Sequence, residues 1–232
     1  MTFEELLQSM WKIFSTYWKE LIFEGVKNTI YLSLIALVFG AVIGSFLALG
    51  RMSKFKPLAW VVGAVVEVVR GTPMLLQLYI GVFGIPMMIP KNSRPDFLND
   101  YFIMVAIVLV INSAAYTSEI IRSGIEAVDK GQTEAARSLG LGKATTMVSV
   151  VLPQAVKNIL PALGNEFVTV IKETSLASTF AVGELMTQYD VIKSVNYNAF
   201  PAYIVIGIIY FVLTFTLSKI MRFAERRMKA RA

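Results

Sequence analysis

The sequence predicts an all-α integral membrane protein with five transmembrane helices, preceded by an amphipathic helix at the membrane interface. Of its 232 residues, 56% are hydrophobic and 16% are charged, whereas a soluble domain carries about a quarter charged residues. Uncharged runs reach the length of roughly 20 residues that crosses a hydrocarbon core. Lys and Arg are also concentrated in alternate connecting segments, which is typical of a chain that crosses the membrane several times.

The composition excludes several classes of function. The chain contains neither Cys nor His, so it lacks thiol nucleophiles and the commonest general base and metal ligand. We therefore predict no catalytic residue and no metal site, and we expect the chain to bind no cofactor. The net charge of +6 is better explained by membrane orientation than by nucleic-acid binding, because no basic patch interleaved with aromatic residues stands apart from the spans.

Residues 1–24 are predicted to form an amphipathic helix. Large apolar side chains recur at steps of three and four: Phe3, Leu6, Leu7, Met10, Trp11, Phe14, Tyr17, Trp18 and Leu21. The Trp and Tyr residues suit a helix that lies in the membrane interface and contacts lipid. The alternative is a helix that packs on the rest of the protein.

The transmembrane domain is predicted to occupy residues 25–232, and its first span is the uncharged run 28–50. Small residues recur there every fourth position, at Ala36, Gly40, Gly44 and Ala48. Such a stripe allows two helices to approach closely.

The next two spans carry polar groups. The second, at about 58–83, contains Glu67 and Arg70 one turn apart, followed by Gly71-Thr72-Pro73. The third, at about 101–118, places Asn112, Tyr116 and Glu119 on one face. Polar side chains inside a span face other helices or a cavity, so each of these residues either pairs helices or lines a pathway.

The fourth span, at about 158–182, is the most polar and includes Lys172 and Glu173. The fifth is predicted at about 202–217, followed by a basic tail that extends to Arg231. Fourteen of the 22 Lys and Arg residues fall on the side of residues 51–56, 122–157 and 219–231, and six fall on the other. Because cytoplasmic segments are enriched in these residues, we expect the N-terminus outside and the C-terminus in the cytoplasm.

The polar segment 123–157 therefore lies in the cytoplasm. Its residues from Gln132 to Leu139 are predicted to form about two turns of helix, with Asp129 or Thr133 at the start and Gly140 at the end. A second helix is expected from Lys143 to Leu152, where Pro153 discourages continuation. From the residues alone, this segment either couples the spans to a partner or is an ordinary connecting loop.

The spacing in this segment resembles the EAA loop of permease subunits in ATP-binding-cassette (ABC) importers. Glu134-Ala135-Ala136 is followed after three residues by Gly140, and after nine more by Val150, one residue and Leu152-Pro153. The pattern has Ile where this chain has Val150. Further segments are similar to the polar-amino-acid branch of the family: Arg70–Pro73, Ala115-Tyr116 with Glu119–Arg122, Gly131-Gln132, and Lys172–Leu176.

The resemblance implies the fold of a type I importer (MetI-like) transmembrane domain and a permease that moves a polar amino acid across the bacterial plasma membrane by alternating access. Its implied partners are two copies of an ATPase subunit that bind ATP and Mg, a second permease subunit, identical or paralogous, and an extracytoplasmic amino-acid-binding protein. Glu134, Ala135, Ala136, Arg137 and Gly140 are then the ATPase-coupling contact, and Leu152 and Pro153 shape the return to the membrane.

The chain has no nucleotide-binding loop of its own. Ala144 follows Gly142-Lys143, and Arg137 stands where the first Gly of that motif is required. ATP hydrolysis is therefore expected on a separate subunit.

A zwitterionic substrate needs partners of both charges. The expected pathway residues are the polar groups of the second, third and fourth spans: Glu67, Arg70, Asn112, Tyr116, Glu119, Lys172 and Glu173. Two alternatives stay open from the residues, a secondary transporter or channel without an ATPase and an intramembrane enzyme. The spacing of the EAA segment is explained by neither.

Overall fold

The computed structural model describes residues 1–196 and 199–230, and every regular element in these ranges is helical. Arg231, at the end of the predicted basic tail, lies outside the described residues.

The first half of the chain contains α-helices, two π-helical segments and two short 3₁₀ turns. In order they are α1 (Phe3–Lys19), a π-helical segment (Glu20–Val26), α2 (Lys27–Arg51), α3 (Lys56–Arg70), α4 (Met74–Tyr79), a π-helical segment (Ile80–Gly84), α5 (Ile85–Met87), and 3₁₀ turns at Lys91–Ser93 and Asp96–Asn99.

The second half begins with the most buried span. Its elements are α6 (Tyr101–Glu126), α7 (Lys130–Ser138), α8 (Lys143–Thr146), a π-helical segment (Met147–Val151), α9 (Leu152–Glu173), a 3₁₀ segment (Thr174–Phe180), α10 (Leu185–Asn196) and α11 (Ala199–Ala230).

The amphipathic helix α1 continues into α2, so that residues 3–51 form one helical stretch. At 1.5 Å per residue this stretch is about 70 Å long, more than twice the thickness of a hydrocarbon core. One face of α1 packs in a core with α10 and α11, where Ile13 and Leu21 are buried. The opposite face leaves Trp11 and Trp18 exposed. The interfacial position of residues 1–24 stays a prediction.

The α2–α6 pair forms the centre of the bundle. All four small residues of the predicted α2 stripe are buried: Ala36, Gly40, Gly44 and Ala48. A Cβ added at Gly40 would lie 2.7 Å from Ser113 Oγ, and one at Gly44 would lie 2.7 Å from the carbonyl oxygen of Ala114. The missing side chains therefore let the two helices approach to backbone contact, as the stripe predicts.

The second span, predicted at about 58–83, is broken at its Gly71-Thr72-Pro73 segment. Residues Lys56–Arg70 and Met74–Met87 form two helices bent by 103°. Proline explains the break, because Pro73 lacks an N–H donor and its ring displaces the preceding turn. Gln77 Nε2 then donates across the bend to the carbonyl oxygens of Val69 at 2.6 Å and Thr72 at 3.0 Å. The described residues thus contain four long apolar helices, or five spans if the bent pair counts as one.

The remaining spans are longer than predicted. Helix α6 continues to Glu126, and α11 extends from Ala199 to Ala230. The prediction that Pro153 separates two helices is wrong, because 143–180 form one helical stretch. Pro153 lies in the first turn of α9, directly after the π-helical segment Met147–Val151. A proline is tolerated in the first turn of a helix, and a π-helical segment before it can accommodate the missing hydrogen bond.

Candidate functional site

The predicted coupling segment is a short helix with both ends fixed by hydrogen bonds. At its start, Asp129 Oδ1 accepts from the backbone N–H of Gly131 at 2.7 Å. At its end, Gly140 has a φ of +83°, and the N–H of Leu141 returns to the carbonyl oxygen of Ala136 at 3.1 Å. Arg137 Nη1 also donates to the carbonyl oxygen of Leu141 at 2.6 Å. These caps make α7 a stiff element between two spans.

Helix α7 has an inner and an outer face. Of the alanine pair, Ala136 is buried, whereas Ala135 and Glu134 are exposed. Leu139, the residue that ends the helix, is 82% exposed. Leu139 was given no role from the sequence, although a large apolar side chain directly before Gly140 in a polar segment was a signal of a contact with another protein.

The return to the membrane is linked to α7. Gln154 Nε2, in the first turn of α9, donates to Gln132 Oε1 on α7 at 3.4 Å. Leu152 and Pro153 form the same turn and are both exposed. Of the predicted coupling residues, Glu134, Ala135 and Arg137 are thus exposed on α7, Gly140 follows its end, and Leu152 and Pro153 begin α9. Ala136 is the exception, because it is buried on the inner face of α7.

Three of the predicted pathway residues lie in one ion-pair cluster. Glu119 of α6 accepts from Arg51 Nη1 of α2 at 2.7 Å and from Arg122 Nη2 at 2.6 Å. Arg70 of α3 lies 3.5 Å from both Glu67 and Glu119. We call the six residues Arg51, Glu67, Arg70, Glu119, Arg122 and Glu126 the Glu119 cluster.

The Glu119 cluster contains three positive and three negative groups, so its formal charges balance. Arg51 and Glu119 are its most buried members, at 13% and 22% side-chain exposure. Arg51 and Arg122 lie outside the spans predicted from the sequence, and neither was among the predicted pathway residues. The contact between Arg51 and Glu119 joins residues 68 positions apart, and no local pattern in the sequence reports such a contact.

Tyr116 and Asn112 line the same side of α6. The Arg70 guanidinium lies 5.6 Å from the centre of the Tyr116 ring, within reach of a cation–π interaction. One turn further, Asn112 Nδ2 donates to Gln77 Oε1 at 3.0 Å. Asn112 Oδ1 is buried and has no hydrogen-bond partner among the described residues. These contacts hold α6 against the bend between α3 and α4.

Lys172 and Glu173 lie apart from the Glu119 cluster, on α9. Lys172 is exposed and lines two adjoining grooves between α9 and α11. The first, of about 470 Å³, also contains Asn165, Thr214 and Arg222. The second, of about 290 Å³, continues to Tyr203 and Tyr210. Glu173, the next residue of α9, is half-buried.

A buried carboxylate before α10 was missed by sequence reasoning. Glu184 is fully buried and accepts from the N–H groups of Met186 and Thr187, each at 2.7 Å, and from the Tyr210 hydroxyl at 3.0 Å. Burial raises the pKa of the Glu184 carboxyl group, and these donors offset part of that rise. The contacts tie α10 to α11, and no spacing in the sequence indicates them.

Comparisons with known proteins agree with this architecture. The family described as "Binding-protein-dependent transport system inner membrane component" matches residues 31–230. The arginine transport system permease protein ArtQ of Bacillus subtilis is 38% identical, with 90% of this chain and 93% of that protein covered. A putative glutamine transport system permease protein of Rickettsia bellii is 40% identical, with 89% and 92% covered.

A solved structure, titled as an amino acid ABC transporter with histidines, has a TM-score of 0.84 and 43% identity. It covers 92% of this chain and 96% of its own. The predicted type I importer (MetI-like) fold is thereby confirmed, as is the expectation that ATP hydrolysis belongs to a separate subunit. The chain belongs to the inner-membrane components of binding-protein-dependent transport systems, as a permease subunit of an ABC importer.

Proposed function

We propose that this chain carries a polar amino acid across the bacterial inner membrane, driven by two ATPase subunits that bind ATP and Mg. Its relatives are named for arginine and glutamine transport, which differ in charge but share the zwitterionic backbone group. The N-terminus lies outside and the C-terminus in the cytoplasm. An extracytoplasmic binding protein delivers the amino acid, and a second permease subunit completes the pathway.

The observation that carries this proposal is the outer face of α7. Glu134, Ala135 and Leu139 are exposed on a helix whose two ends are fixed. A leucine that is 82% exposed on a polar, non-spanning helix is suited to enter an apolar pocket of another protein, because burial removes its apolar surface from water. Small Ala135 lets that protein approach the helix closely, and Arg137 and Gly140 keep the helix end in place. A displacement of α7 by the ATPase then also displaces α6, which precedes α7 in the chain, and α9, which is hydrogen-bonded to it.

The proposed pathway runs beside the polar faces of α3, α6 and α9. Lys172 and Asn165 are exposed on a helix at membrane depth, where a charged or amide side chain is costly in lipid. We therefore place the second permease subunit over the grooves that contain Lys172. Asn112, Tyr116 and Glu173 remain the other residues proposed to contact the amino acid, and Glu67, Arg70 and Glu119 border the pathway as members of the Glu119 cluster.

The experiment compares Leu139→Ala with the intact chain in purification with the ATPase subunit and in ATP-dependent amino-acid uptake. Burying a leucine side chain contributes about 1.5–3 kcal/mol, so we expect roughly tenfold or greater loss of ATPase affinity. Glu134→Lys should weaken the complex as well. The folded permease itself should be unaffected by Leu139→Ala, because the side chain packs against little of it.

Leu49→Ala is the matched control. Leu49 is 66% exposed on α2, away from the coupling helix, and its truncation should leave ATPase binding unchanged. Equal binding by the Leu139→Ala variant and the intact chain would contradict the proposed docking face. Uptake by the intact chain without ATP would contradict the proposed function as a whole.

A further inference from the structure

The Glu119 cluster joins α2, α3 and α6 through ion pairs of unequal length. Arg122 pairs with Glu119 at 2.6 Å and with Glu126 at 2.7 Å, both within α6, so these contacts stiffen the end of α6 that leads to α7. Arg51 joins α2 to this end at 2.7 Å. Within this cluster α3 is attached at longer range: Glu67 lies 3.4 Å from Arg51 of α2, and Arg70 lies 3.5 Å from Glu119 of α6.

Apart from the contact between Arg70 and the Tyr116 ring, few side chains of α3 are buried. Of its 15 residues, all of them described, Val66 is the one that is buried. Arg70 Nε is buried but has no hydrogen-bond partner among the described residues. A guanidinium with an unused buried donor and two long contacts has not reached its best pairing geometry, so its attachment is weak compared with that of Arg51 and Arg122.

The end of α3 that carries Arg70 is also held at the bend. Gln77 bridges the bend by donating to Val69 and Thr72, and it accepts from Asn112 of α6. The 103° bend between α3 and α4 is therefore a fixed pivot. Helix α3 can turn about this pivot if the contacts at Arg70 and Glu67 are released.

We propose that Glu119, Arg51 and Arg70 are positioning residues of the transport cycle, which hold α3 against α2 and α6 in this conformation and release it when α7 moves. Glu119 acts from the helix that runs directly into the coupling helix, so displacement of α7 shifts the acceptor of Arg70. This inference rests on the proposed function, and it assigns Glu67, Arg70 and Glu119 to the movement of α3 instead of contact with the amino acid.

The test uses the permease–ATPase complex in lipid nanodiscs with spin labels on Ala64→Cys of α3 and Ser123→Cys of α6, both exposed positions. The chain has no natural cysteine, so labelling is specific. In Arg70→Gln we expect the population with α3 displaced to grow roughly threefold, the size expected for a partly exposed ion pair. Amino acid transported per ATP hydrolysed should fall, with an unchanged KM for the amino acid.

Further variants separate the possible outcomes. Arg70→Lys keeps the positive charge and should restore most of the distance distribution, and Glu119→Gln should displace α3 as Arg70→Gln does. Lys54→Gln is the matched control, because Lys54 is exposed in the α2–α3 connection and takes part in no ion pair among the described residues. An unchanged distance distribution in Arg70→Gln, or a raised KM with unchanged coupling, overturns the inference. Failure of ATP-dependent uptake by the intact complex would instead overturn the proposed function.

Discussion

At the residue scale, two glycines follow the end of α7, and their backbone conformations differ. Gly140 has a φ of +83°, and no atom lies within 4 Å of a Cβ added there. Gly142 has a φ of −62°, and an added Cβ would make ordinary contact with Thr145 Oγ1 at 3.9 Å. Only Gly140 thus requires glycine, and the reason is its backbone conformation.

We expect Gly140→Ala to destabilise the turn that ends α7 by about 1 kcal/mol, because an L-residue is strained in the left-handed region. ATPase affinity and uptake should fall together. Gly142→Ala is the matched control and should leave both unchanged. Affinity measurements by titration of the ATPase subunit check this prediction, and equal affinity of the two variants would contradict it.

At the scale of elements, the bundle is organised by close contact between α2 and α6. Gly40 and Gly44 of α2 lie against backbone and Cβ atoms of α6, which cannot rotate away as a flexible side chain can. At Gly44 an added Cβ would lie 2.7 Å from the Ala114 carbonyl oxygen and 2.8 Å from Thr117 Cβ. At Gly63 of α3, no atom lies within 4 Å of an added Cβ.

Gly44→Ala should therefore force α2 and α6 apart and cost about 1–3 kcal/mol. Gly63→Ala should be neutral or stabilising, since alanine favours a helix interior by about 1 kcal/mol over glycine. Thermal unfolding of the purified permease, followed by Trp fluorescence, should show a Tm lower by several degrees for Gly44→Ala alone. A drop of the same size in Gly63→Ala would mean that α3 packs more tightly than its one buried residue indicates.

At the scale of the whole molecule, the uneven distribution of positive charge predicts one orientation. The segment that contains Lys54, the segment that contains α7 and the C-terminal end of α11 should face the cytoplasm, and the connection that contains Ser93 should face outward. The bent pair α3–α4 is consistent with this arrangement if it counts as one span.

Single cysteines test the orientation without background. In intact cells, a membrane-impermeant maleimide should label Ser93→Cys and should label Lys54→Cys only after the cells are permeabilised. Both positions are exposed, so the difference reports membrane side and not burial. The reverse pattern would show that the chain is inserted the other way round.

The sequence by itself determined the membrane class, the close-packing stripe of α2 and the coupling segment. These follow from local composition and from periodicity along one helix, and such patterns survive whatever the tertiary arrangement is. The spacing from Glu134 to Pro153 also indicated the family of ABC importer permeases. Helix ends were less well determined, because apolar spans continue smoothly into polar helical turns, as α6 does beyond Ser118 to Glu126.

Only the tertiary structure decided which polar side chains meet. Arg51 and Glu119 are 68 positions apart in the chain, and Glu184, directly before α10, is 26 positions from Tyr210 on α11. Their pairing depends on how helices cross and which faces they present. The same holds for α7, where the two alanines of one motif have opposite environments, Ala136 inside and Ala135 outside. Sequence periodicity fixes the angle between side chains on a helix, but only packing fixes the direction that the helix turns toward its neighbours.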